Sequence, residues 1–127
     1  MVETMNLDFL GAYFLTIVTE TVILFLLLRK TYPAKTILVN SLIANVTTLP
    51  FVWFVFPLLP LTYPVQIAIS EIFAFVVEGF VYAKLFSKLP LKRAFFVSFL
   101  CNLVSFLTGL IYVVLMVFYL SPFPQGF

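Results

Sequence analysis

Glu20, Glu71 and Glu78 are carboxylates set inside long apolar runs, and Asn45 and Asn102 are amides inside two others. Charged groups in hydrocarbon are costly, face the protein interior, and mark ion or substrate sites by default. Two carboxylates brought together at low dielectric do not both hold a negative charge unless a cation joins them. The chemistry on offer is proton or cation binding. Such a layer is neutral when protonated and anionic when it takes a cation from water. Amide and hydroxyl oxygens would complete an all-oxygen ligand set, which suits Na⁺, Mg²⁺ or Ca²⁺.

The pattern occurs twice. Glu20 is followed by Lys30, Pro33, Lys35, Ser41 and Asn45, and Glu78 by Lys88, Pro90, Lys92, Ser98 and Asn102. The acids and first lysines are offset by 58 residues and the later matches by 57, so the second connecting loop is one residue shorter. Helical spacing puts each set on one face. Ser41, Asn45 and Thr48 fall at i, i+4 and i+7, and Ser98, Asn102, Ser105 and Gly109 continue the same rhythm. Tyr13, Thr16 and Glu20 share a face in the first run, as do Glu71, Glu78 and Tyr82 in the third. At a rise of 1.5 Å per residue, Glu20, Asn45, Glu78 and Asn102 each lie roughly 13–15 Å from the nearest basic loop, in one layer. Glu71 lies roughly 10 Å further from those loops, beyond Thr48 and Ser105, and pairs by offset with Tyr13 rather than with an acid.

The elements that must hold this layer follow from composition. Of 127 residues 64% are hydrophobic and 9% charged, with a mean hydropathy of +1.21. A soluble domain carries about 25% charged residues, so the fold class expected is an all-α integral membrane protein. Four stretches have the roughly 20 apolar residues needed to cross a bilayer: about 9–28, 36–56, 65–86 and 94–120. They predict one transmembrane domain over 1–127, a four-helix up-down bundle of two similar hairpins, 9–56 and 65–120. Prolines in the separators 29–35, 57–64 and 87–93 mark the reversals. Pro50 predicts a kink within the second span, one that the fourth span, with Leu107 at the equivalent place, would not share.

All seven cationic residues fall in two places: Arg29, Lys30 and Lys35, then Lys84, Lys88, Lys92 and Arg93. By the positive-inside rule, loops 29–35 and 87–93 face the cytoplasm, and both termini and the uncharged loop 57–64 face outward. Trp53, Tyr63, Tyr112 and Tyr119 then fall toward the outer ends of the spans, where interfacial aromatics sit. A unit of two spans keeps its orientation on duplication, which predicts a parallel repeat with its axis along the membrane normal.

Other classes are disfavoured. There is no His, and the single Cys101 allows no disulfide within the chain and no Cys/His metal cluster. No phosphate loop or nucleophile–base pair is present, so no cofactor is expected and an enzyme is disfavoured; a lipid-directed enzyme using Glu71 and Glu78 as acid and base is the weakest alternative. The cations flank apolar runs, which argues against nucleic acid as a partner. Glu3 and Asp8 stand where a signal peptide would have basic residues, and the sequon at Asn45-Val46-Thr47 lies too deep to be reached.

Two functions remain. The first is a small transporter or channel subunit in which Glu20, Asn45, Glu78 and Asn102, with Glu71, Ser41, Ser98, Thr48 and Ser105 around them, bind a proton or cation. The second is a structural or assembly subunit of a larger membrane complex, its polar layer serving as helix-packing glue. Four helices normally fill their own centre with side chains. A transport function therefore predicts a homo-oligomer, a partner membrane subunit, or a vestibule open to one side.

Overall fold

A computed structural model describes the backbone of residues 2–120, and the side chains of 10–115 and 118 apart from Ala12. The side chains of Glu3, Asp8 and Tyr119 and the Pro-Phe-Pro tail at 122–124 lie outside the described residues. The described chain is all-helical, with four long helices: α1 (Val2–Leu28), α2 (Ala34–Pro50), α3 (Tyr63–Leu85) and α4 (Leu91–Leu120). Three segments, Ala34–Leu58, Tyr63–Leu85 and Leu91–Leu115, are long and apolar enough to cross a membrane; in α1 the described apolar part is Tyr13–Leu28.

Proline sets the helix starts. Pro33 precedes α2 in an extended conformation, Pro64 occupies the first turn of α3, and Pro90 stands just before α4. At these positions a missing N–H leaves nothing unpaired. Pro50 is different. It removes the donor that would pair with the Val46 carbonyl, yet the chain does not break there. It widens into a π-helical turn over Phe51–Val55, in which the Phe56 N–H reaches back five residues to the Phe51 carbonyl. A tight 3-10 turn over Phe56–Leu58 then ends the segment.

Each helix packs on its chain neighbours, and α4 closes the ring against α1, while the diagonals make no extensive contact. The loops after α1 and after α3 meet at one end, where the Tyr32 hydroxyl donates to the Ser87 carbonyl and the Tyr32 and Phe86 rings sit 4.8 Å apart. Lys88, between them, has a φ of 68°, a left-handed turn conformation that non-glycine residues seldom adopt. This basic end is solid: Leu24, Leu28, Ile37, Tyr82, Phe86 and Cys101 have no exposed surface. Gly79 lets α3 and α4 approach, since a methyl group there would meet the Phe95 ring at 2.5 Å. At the other end, the Gln66 side chain donates to the Leu59 and Leu61 carbonyls and holds the α2–α3 connection closed.

The perimeter is apolar. Phe14, Val22, Ile72, Phe80, Phe96 and Ile111 are each at least half exposed, the arrangement expected of a bundle whose surroundings are not water.

Candidate functional site

The four helices point their polar stripes at one another. Glu20 and Glu78 are each 1% exposed, and Asn45 and Asn102 are buried beside them. Around Glu78 the bonding is complete. Thr48 on α2 donates to its Oε1 at 2.8 Å, and Asn102 on α4 donates to its Oε2 at 2.7 Å. Around Glu20 it is not. Ser105 on α4 donates to Oε1 at 3.1 Å, while Oε2 has no partner. Asn45 lies beside the same carboxyl, but its Nδ2 donates to the Ser41 carbonyl at 2.9 Å and its Oδ1 is also without a partner. Two buried oxygens without a hydrogen-bond partner thus sit on neighbouring side chains, with the Asn45 amide as the donor beside Glu20. The donors Thr48 and Ser105 lie 57 positions apart and the acids they serve 58 apart, the offsets of the repeated sequence pattern.

Above this layer, on the side away from the basic loops, the bundle is hollow. A cavity of about 890 Å³ runs from Glu20, Asn45, Glu78 and Asn102 up past Thr16, Ser70 and Ala74 to Trp53, Tyr63 and Tyr112. This departs from the expectation of a centre filled by side chains. The interior positions here carry small residues, and a methyl group built on Gly109 would meet no atom within 4 Å. None of the seven cationic residues lines the cavity. Lys84, the nearest cation along α3, is exposed and makes no ion pair with a described carboxylate.

Glu71 lines the cavity two helical turns from Glu78 along α3, half-buried and without a hydrogen-bond or ion-pair partner among the described residues. Ser41 and Ser98 do not reach the carboxylates, although Asn102 Nδ2 also donates to Ser98 Oγ at 3.4 Å. Ser41 pairs with Thr21 at 2.7 Å, and Ser98 donates to the Phe75 carbonyl at 2.7 Å; both lie below the layer and line no part of the cavity. They tie α1 to α2 and α3 to α4, as packing hydroxyls do.

The sequence pattern passes over several members of the site. Thr21 is adjacent to Glu20, and its pairing with Ser41 has no helical-spacing signal. Gln66 and Ser70 continue the Glu71–Glu78 face toward the α2–α3 loop, so their spacing does carry a signal. Trp53 and Tyr112, read from sequence as interfacial aromatics, line the cavity. The Tyr82 hydroxyl and Asn40 Nδ2 are buried without partners in the solid half. Among the described residues no group of three His, Cys, Asp or Glu side chains is placed to hold a metal ion.

Comparison of the chain with family models, with curated proteins and with solved structures finds no match.

Proposed function

We propose that this chain is a small membrane carrier or channel subunit whose Glu20–Asn45–Glu78–Asn102 layer binds a proton or a cation. The observation that carries this reading is the pair of unpartnered acceptors, Glu20 Oε2 and Asn45 Oδ1. A buried acceptor without a donor costs about 1–3 kcal/mol. A proton on the carboxyl would give Oε2 a hydrogen to donate, and the amide oxygen on the neighbouring side chain is an acceptor for it. A cation between the two oxygens engages both. The layer therefore has two equivalent ways of being complete, and exchanging one for the other is proton-coupled cation binding. In this reading the bundle spans the membrane as two similar hairpins, with loops 29–35 and 87–93 in the cytoplasm and the cavity open toward the outer side. The matching donors Thr48 and Ser105 support the duplication.

The test is proton release from the purified protein in detergent on adding Na⁺, K⁺, Mg²⁺, Ca²⁺ or tetramethylammonium. Release is expected with at least one of these cations and is expected to vanish in Glu20→Gln. That variant should still fold, because its new amide can donate where a protonated carboxyl would. No release with any cation would sink the exchange mechanism.

One observation favours a second reading. Thr48 and Asn102 satisfy both oxygens of Glu78 and so bridge α2, α3 and α4, as a clamp in an assembly subunit would. A clamp predicts altered stability in Glu78→Gln and no proton released by any cation.

A further inference from the structure

The cavity is far larger than a bare ion needs. Its 890 Å³ falls in the range of pockets that hold organic ligands, and the walls above the polar layer are aromatic and aliphatic: Trp53, Phe56, Tyr63, Phe106 and Tyr112. Carboxylates at the floor and aromatic faces on the walls are the combination that recognises organic ammonium groups. The carboxylates do not stand alone here, because the unpartnered Glu20 Oε2 and Asn45 Oδ1 are buried in that floor.

A second feature adds a direction. Between α3 and α4 lies a groove of about 560 Å³, lined from outside by Ala68, Ile72, Phe75, Phe99 and Leu103. It shares Ile67, Glu71, Asn102 and Phe106 with the central cavity. The groove is apolar except where Glu71 and Asn102 stand, and those two residues belong to both spaces. A molecule with one cationic end and one hydrocarbon end fits that pair of spaces: its charge among Glu71, Glu20 and Glu78, its tail between the helices.

Resting on the reading of the polar layer as a cation site, we infer that the ligand is an amphiphilic organic ammonium ion, admitted sideways between α3 and α4. The ammonium head passes Glu71, which has no hydrogen-bond or ion-pair partner among the described residues, and settles on the floor beside Glu20. The chain's one tryptophan, Trp53, lines the cavity and reports occupancy directly.

The experiment follows Trp53 fluorescence of the full chain in dodecyl maltoside micelles, with empty micelles as blanks, on adding decyltrimethylammonium, tetramethylammonium or decyl sulfate. Both cations should respond, the decyl compound at a concentration at least ten-fold lower, and decyl sulfate not at all. Glu20→Gln should abolish both responses. Ala68→Phe, which fills the groove from the outer face, should shrink the advantage of the decyl compound several-fold; Ala68→Leu should do so more mildly, and Leu103→Ala should enlarge it. Adding phosphatidylethanolamine to the micelles separates two sources of the same chemistry: competition identifies a lipid amine head, and its absence a free amphiphile. An advantage for the decyl compound that is unchanged in all three groove variants overturns lateral admission. No fluorescence response to either organic cation, with proton release on adding Na⁺ or another metal ion intact, overturns the organic ligand and leaves the polar layer as an inorganic cation site. Loss of proton release with every cation overturns the layer itself and this inference with it.

Discussion

The two ends of this bundle are made from the same four helices and the same apolar vocabulary, yet one is solid and the other hollow. At the basic end, Leu24, Leu28, Ile37, Tyr82 and Phe86 occupy the interior positions and leave no exposed surface. At the other end the equivalent positions carry Thr16, Ser70, Ala74, Ser105 and Gly109, which line a cavity instead of filling it. The halves differ in side-chain volume at inward positions, because a protein interior is filled only where the facing residues add up to the space between the helices. The layer of Glu20, Asn45, Glu78 and Asn102 is the boundary between the two. Its carboxyls have a filled plug below and a roomy, partly polar space above, so anything that reaches them arrives from the hollow side.

The strongest way to break this contrast is to truncate one aromatic in each half. Phe86→Ala should cost about 3 kcal/mol, the low end for such changes. Phe106→Ala, in the wall of an existing cavity, should cost well under half of that. Equilibrium unfolding in mixed micelles would compare them, and equal losses would mean that the hollow end is packed as tightly as the solid one. The next test uses two glycines. Gly79→Ala drives a methyl group into the Phe95 ring and should destabilise by about 1–3 kcal/mol. Gly109→Ala meets nothing and should stay within about 0.5 kcal/mol of the parent. The smallest effect sharpens the picture of the plug. Tyr82→Phe removes a buried hydroxyl that has no partner and should stabilise by about 1 kcal/mol. A loss of stability instead would reveal a hydrogen-bonding partner for that hydroxyl and a wetter basic end.

Much of this was readable in the residues themselves. Runs of apolar residues punctuated by Pro33, Pro64 and Pro90 place four helices, because proline acts through local backbone geometry that needs no tertiary context. The i, i+4, i+7 spacing of Ser41, Asn45 and Thr48 assigns them correctly to one inward face. Spacing does not say which of them reach the carboxylates. Thr48 and Asn102 do, while Ser41 and Ser98 turn to Thr21 and to the Phe75 carbonyl, one helical turn away on the same stripe. The unequal bonding of Glu20 and Glu78 is invisible in a pattern that treats them as equivalents. The cavity is invisible for another reason: a void is a sum over all four helices, and no single run of sequence contains it. Pro50 predicts a kink; what the sequence does not show is how the missing donor is accommodated, by a widened turn over Phe51–Val55.

The ring closes between α1 and α4, the first and last helices of the chain, and that closure has a consequence in time. Ser105, the hydroxyl that serves Glu20, stands 85 residues further along the sequence. At a synthesis rate of about 5–20 residues per second, it emerges roughly 4 to 17 seconds after its acid. Glu78 waits far less for Asn102, only 24 residues on, and its other donor, Thr48, is already made. For several seconds of every chain's life the first carboxyl has no hydroxyl to meet it, and the newborn α1 must be stored, shielded or left protonated until its last neighbour arrives.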